Sequence, residues 1–154
     1  MVDHQTSHLS LADLPAAALP RRLVAMLYDL LLLISVLAFA ALMITLLSPT
    51  SGRDYNPLLT LYFLLVTYLF YGWFWTRGGQ TLGMRAWRLR LQRRDGSSVD
   101  AYHALLRFSA ALLSWLPCGL GYLWSLWDRD RLCWHDRLSD TVIVLIPVSA
   151  YRRE

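Results

Sequence analysis

Three apolar blocks separated by polar connections organise the chain. Residues 23–47 hold a single charge, Asp29, and residues 58–76 hold none, while residues 102–127 form the third block. A bilayer hydrocarbon core of about 30 Å is crossed by roughly 20 helical residues. The pattern therefore predicts an all-α membrane protein with two antiparallel transmembrane helices, near 23–47 and 58–76.

The third block is interrupted. Pro117 and the pair Gly119 and Gly121 predict a broken helical segment within residues 102–127. Short loops rich in arginine stay on the cytoplasmic side. A return at the break would place 13 arginines inside and one outside, whereas a full crossing would place 8 inside and 6 outside. Charge favours a re-entrant segment and length favours a crossing, since 26 helical residues cover about 39 Å.

Two polar-flanked runs have strand patterns. Apolar and polar residues alternate from Trp87 to Gln92, and residues 141–146 are mostly β-branched. Period two is a strand signal, and an isolated strand would leave its backbone groups unpaired. We predict a small cytoplasmic sheet that pairs residues 86–92 with residues 141–146. An interfacial amphipathic helix at residues 84–94 is the competing prediction.

The blocks suggest three regions. Residues 1–20 form a flexible or interfacial N-terminal segment, residues 21–147 a single membrane domain, and residues 148–154 a C-terminal tail. Arginines stand immediately before the first block, which is too long for a signal-peptide core, so a retained anchor is expected. With six arginines in residues 77–101, the N-terminus and this connection are predicted to lie in the cytoplasm.

Composition narrows the function classes. Hydrophobic residues make up 56% of the chain and charged residues only 17%, and mean hydropathy is +0.36; soluble domains carry about 25% charged residues. All 15 basic residues are arginine, which excludes Schiff-base and phosphate-loop lysines. No nucleophile elbow or phosphate loop is present, so we expect neither an enzyme nor a cofactor, and no nucleic-acid partner.

Cysteine and histidine give a weak metal signal. Cys133 and His135 are close in sequence, with Cys118 and His103 further away. Cys-x-His alone is not a zinc motif. We predict no metal site, and we expect the thiols to fill gaps between helices.

Asp29 is the carboxylate that the first block would bury. An aspartate at the centre of a span costs about 2.5–3.5 kcal/mol on insertion scales, so such residues usually have a partner or face water. Arg22 lies seven positions earlier on nearly the same helical face but two turns away, so Arg107, near the start of the third block, is the better candidate partner. We predict an arginine partner for Asp29 from one of these two. An ion pair would make Asp29 structural, whereas a polar cavity leading to an unpaired Asp29 would support proton or cation transport.

Acid and base alternate between residues 127 and 141. Such a stretch is typical of a solvated, salt-bridged loop. Within it, His135 beside Asp136 could shuttle protons, because histidine titrates near neutral pH.

Three patches resemble the RDD family of small membrane proteins. They are residues 21–29, entering the first block; residues 79–85, Gly-Gln-Thr-Leu-Gly-Met-Arg; and residues 135–144, His-Asp-Arg-Leu-Ser-Asp-Thr-Val-Ile-Val. The arginine and two aspartates that name the family are similar to Arg22, Asp29 and Asp136, with Asp128 a weaker candidate for the last. Two departures are an aspartate at position 140, where the family more often has glycine, and a shorter third block.

The resemblance implies a multi-pass protein of the bacterial inner membrane, described as a transporter and in some members associated with sodium/proton antiport. We therefore expect a transporter of cations coupled to protons, within a homo-oligomer or beside a membrane protein partner. The alternative is a non-transporting scaffold or assembly partner that binds a protein or anionic lipid head groups near residues 77–101, because such arginines attract anionic lipid by about 1 kcal/mol each. Arg22, Asp29 and Asp136 are predicted to converge, with Arg107 and Arg85 nearby.

Overall fold

The computed structural model describes residues 14–47, 57–117 and 119–147. Its elements in chain order are α1 (Leu19–Leu47), α2 (Pro57–Arg77), α3 (Leu82–Ala86), β1 (Leu89–Arg93), α4 (Ala101–Trp115), α5 (Leu120–Leu123), a 3₁₀ turn (Trp124–Leu126), α6 (Trp134–Leu138) and β2 (Thr141–Leu145). Nearly all of the predicted outer connection, residues 48–57, lies outside the described ranges.

Helices α1 and α2 confirm the two predicted long apolar helices. They contain 29 and 21 residues, and each is long and apolar enough to cross a membrane. Their outward faces carry large apolar side chains such as Leu31, Phe39 and Leu61, each more than 60% exposed. A contiguous apolar surface of this size suits lipid rather than water. The chain is therefore built as a membrane-type protein.

The predicted break in the third block is confirmed. Helix α4 and the stretch Leu120–Leu126 meet at 110°, so the pair is either a broken span or a re-entrant loop. Gly119 adopts φ 79°, a backbone conformation that favours glycine. A Cβ on Gly121 would lie 2.6 Å from the Cβ of Ser114, so glycine also lets α5 fold back against α4.

The predicted sheet is confirmed, with a shorter first strand. Strands β1 and β2 pair antiparallel, with Leu89 opposite Leu145 and Arg93 opposite Thr141. The predicted start at residue 86 was wrong because α3 occupies residues 82–86 and Arg88 then turns the chain at φ 55°. Because β1 pairs with β2, the competing prediction of one amphipathic helix over residues 84–94 was wrong.

The chain preceding α1 lies along β2. Ala17 N–H donates to Ile143 O at 2.8 Å, and Leu145 N–H donates to Pro15 O at 3.2 Å. This part of the predicted N-terminal segment is thus fixed to the sheet, while residues 1–13 and 148–154 lie outside the described ranges. A small core at this end of the molecule joins α1, α3, α4 and β1, and its buried members are Ala17, Ala25, Met84, Leu89, Leu91, Val99 and Ala104.

Candidate functional site: a buried ion cluster beside a cavity

Two arginines from different helices hold one carboxylate. Arg22 Nη1 lies 2.6 Å from Asp136 Oδ2, and Arg107 Nη1 lies 2.7 Å from Asp136 Oδ1. The side chain of Asp136 is 0% exposed, and both arginine side chains are under 5% exposed. We call these three residues the ion cluster. It joins α1, α4 and α6 at the point where they meet the sheet.

Neutral groups complete the hydrogen bonding of the ion cluster. Arg22 Nε donates to Ala17 O at 2.9 Å, and Arg107 Nη1 donates to the Thr141 hydroxyl at 2.6 Å. Cys133 N–H donates to Asp136 Oδ2 at 2.9 Å. Buried charges are tolerated when they are paired and hydrogen-bonded in this way. The cluster therefore has the character of a fixed structural joint.

The protonation states follow from burial and the two guanidinium groups. Burial alone would raise the pKa of Asp136, but Arg107 and Arg22 outweigh it and hold this pKa well below its usual range. Burial, together with the positive charges of Arg107 and Arg22, lowers the pKa of His135 to about 3. Near neutral pH, Asp136 is ionised and His135 is uncharged. His135 is therefore poorly suited to the proton-shuttle role considered above.

Asp29 binds neutral donors, and the prediction of an arginine partner was wrong. The Thr81 hydroxyl donates to Asp29 Oδ2 at 2.5 Å, and Gly83 N–H donates to Oδ1 at 2.9 Å. Within the described ranges, the ion pairs of Arg22 and Arg107 are both with Asp136. Helical side chains lean towards the helix N-terminus. Arg22 accordingly reaches back to Ala17, away from Asp29.

A glycine sets the approach of α3 to Asp29. A Cβ on Gly83 would lie 2.3 Å from Ala25 O and 2.9 Å from Asp29 Oδ1. The hydroxyl of Thr81 also accepts from Met84 N–H at 3.2 Å and so caps α3. The first turn of α3 thus presents a hydroxyl and a free N–H to the carboxylate, an arrangement that also suits the helix dipole.

A cavity of about 470 Å³ lies beside the ion cluster, among α1, α2 and α4. Most of its lining is apolar. Among its polar and aromatic lining residues are Arg22, Asp29, Tyr71, Trp75, Thr81, Arg107, Tyr122 and His135. Arg22 and Arg107 form their ion pairs with Asp136, so Asp29 is the lining carboxylate held by neutral donors.

The predicted convergence is confirmed for most of its members. Arg22, Arg107 and Asp136 are in contact, and Asp29 lies on the wall of the cavity that both arginines line. Arg85 does not join them, because it is exposed and lines a different pocket.

Asp128 is separate from the ion cluster. It bonds to Arg137 and accepts from Leu132 N–H at 2.9 Å, so it organises the loop before α6. The expectation of a solvated loop over residues 127–141 holds for the exposed residues Arg129, Asp130 and Arg131, but it was wrong for His135 and Asp136, which are buried in α6. The reason is that arginines from α1 and α4 draw Asp136 inward.

Cys133, His135 and Asp136 have donor atoms within 4.8 Å of one another. Electrostatics oppose a metal ion there, because both oxygens of Asp136 already face guanidinium groups. Burial also raises the pKa of the Cys133 thiol, which disfavours the thiolate that binds metals. The donor set does not fit a metal centre.

Thr81, Gly83 and Thr141 are the site residues that the sequence analysis did not single out. Thr81 and Gly83 stand inside the patch 79–85 that carried the family resemblance. A threonine directly before a short helical run is a capping signal. That signal locates the start of α3, although it does not show that Asp29 binds there.

Comparison with known families identifies the family of the chain. Residues 16–140 match the model of the RDD family, which covers most of the chain. The protein belongs to the RDD family. Comparisons with curated proteins and with solved structures gave no match.

Proposed function

We propose that the protein is a multi-pass membrane transporter that exchanges a cation for protons at Asp29. The observation that carries the proposal is the environment of this carboxylate. It lies in a candidate spanning helix on the wall of a cavity, and its bonds come from Thr81 and Gly83 rather than from a cation. Intramembrane carboxylates of this kind are typical ion and proton sites.

The ion cluster gives the transport site a rigid wall. Asp136 stays ionised between two arginines, so it is unsuited to carry a proton. Arg22 and Arg107 line the cavity with one positive charge more than Asp136 neutralises, which balances the charge of Asp29. A cation and a proton would then compete at Asp29, because each neutralises the same single negative charge.

The proposed topology follows the distribution of arginine. We place the N-terminus and the segment 77–101 on the cytoplasmic side of a bacterial inner membrane, because short cytoplasmic loops carry the excess of basic residues. Two long helices and one broken segment are too few to enclose a transport pathway, so the pathway would be completed in a homo-oligomer.

Asp29→Asn is expected to lower cation-dependent proton flux at least tenfold. Asparagine keeps an oxygen for Gly83 N–H and an amide for Thr81, so the variant removes the charge while retaining the shape. The measurement is proton movement in proteoliposomes, followed with an enclosed pH-sensitive dye after addition of sodium or potassium. Asp95→Asn is the matched control, because Asp95 is exposed and lies outside both long helices.

Equal flux in wild type and Asp29→Asn would remove Asp29 from the mechanism. Absence of cation-dependent flux in the wild type would instead favour the second candidate, a scaffold that binds a partner protein or anionic lipid. The observation that supports this alternative is a group of exposed arginines at the end of α2 and along the following segment.

A further inference from the structure

A second pocket lies at the end of α2, and the transport proposal uses none of its lining residues. Its volume is about 420 Å³, and it is lined by Trp73, Phe74, Arg77, Gly78, Gln80, Arg85 and Arg90. The three arginines come from α2, α3 and β1, so the fold brings together residues that are up to thirteen positions apart.

The pocket carries three positive charges. Within the described ranges, none of Arg77, Arg85 and Arg90 forms an ion pair with an acidic side chain, whereas the neighbouring Arg93 and Arg94 pair with Asp95 and Asp140. Like charges gathered around one pocket repel, and an anion between them relieves the repulsion. The unneutralised charge therefore indicates an anionic ligand.

The apolar residues that line the pocket indicate the chemical source of that anion. Trp73 and Phe74 belong to the last turns of α2, directly after an uncharged run of apolar residues. The Arg77 guanidinium lies 3.7 Å from the centre of the Trp73 ring, a cation–π contact that orients it. Tryptophan and arginine at the end of an apolar helix are typical of the lipid head-group layer.

We propose that Arg77, Arg85 and Arg90 bind the phosphate of an anionic lipid head group in this pocket. Guanidinium groups bind phosphate oxygens through paired hydrogen bonds. The acyl chains of the lipid would lie along the apolar surface of α2. This site is independent of Asp29 and of any transport activity.

The test is lipid selectivity of the full-length protein. Purified protein is equilibrated with micelles containing equal amounts of phosphatidylglycerol and phosphatidylcholine, and the retained lipids are counted by native mass spectrometry. We expect the wild type to retain phosphatidylglycerol preferentially. Arg85→Gln and Arg90→Gln should each reduce that preference about fivefold. Arg129→Gln is the matched control, since it removes the same charge from an exposed position elsewhere.

Three outcomes would overturn the proposal. They are no preference in the wild type, an equal loss of preference in Arg129→Gln, and full preference in both pocket variants. Arg85→Lys separates the contributions, because lysine keeps the charge but not the paired hydrogen bonds, and it should recover only part of the preference. Displacement of the lipid by inorganic phosphate would assign the pocket to a free anion instead.

Discussion

Asp136→Asn is expected to lower the free energy of unfolding by about 3–5 kcal/mol, because removing one partner of a buried ion pair leaves the other charge unpaired. Here two guanidinium groups, those of Arg22 and Arg107, would lose the same carboxylate. Asparagine has nearly the same shape, so the loss would reflect charge rather than a cavity.

The measurement is unfolding in mixed micelles as the fraction of denaturing detergent is raised. Asp130→Asn is the matched control, because Asp130 is 64% exposed in the loop before α6, and exposed ion pairs contribute about 0–1 kcal/mol. The contribution of Asp136 should be complete above its unfolded pKa of 3.8 and lost only as the pH falls towards its lowered folded pKa. Similar unfolding of Asp136→Asn and Asp130→Asn would contradict a structural ion cluster.

Gly83→Ala is expected to destabilise the protein by about 3 kcal/mol. The added methyl group would lie 2.3 Å from Ala25 O, and because this oxygen belongs to the backbone of α1, α3 must move away. Overpacking usually costs about 1–3 kcal/mol, and the movement would also break the hydrogen bond from Gly83 to Asp29. Contact between α1 and α3 would be lost together with the environment of the carboxylate.

Gly78→Ala is the matched control for this substitution. A Cβ at Gly78 meets no atom within 4 Å, so its effect should stay within about 0.5 kcal/mol. Both variants are measured by the same detergent unfolding. A Gly83→Ala protein as stable as Gly78→Ala would show that α3 does not pack closely on α1.

The long elements could be predicted because their signals are extended. Long apolar runs predicted α1 and α2 to within four residues at each end, and Pro117 with its neighbouring glycines predicted the break after α4. The sheet was predictable because an isolated β-branched run next to a membrane needs a partner, and the alternating run near Leu89 was the available one. Helix α3 was missed since five residues carry too little periodicity, and its signal was the cap at Thr81.

The residues of the site were predictable, but their pairing was not. Arg22, Arg107 and Asp136 were all candidates, yet one of the two arginines, Arg107 by preference, was predicted to pair with Asp29. The direction in which a helical side chain leans, and the arrival of α6 between two helices, decided the pairing instead. Both depend on tertiary packing, which the order of residues along the chain does not specify.

Asp29, buried on the wall of the cavity and bound by neutral donors, is proposed as the carboxylate that takes a ligand, whereas Asp136 is a fixed structural charge. The most direct test is reaction of the wild-type protein with dicyclohexylcarbodiimide, an apolar reagent that modifies protonated carboxyl groups, followed by peptide mass spectrometry. We expect an adduct on Asp29 that sodium ions diminish, and no adduct on Asp136. An adduct on Asp136, or an unmodified Asp29, would contradict the account.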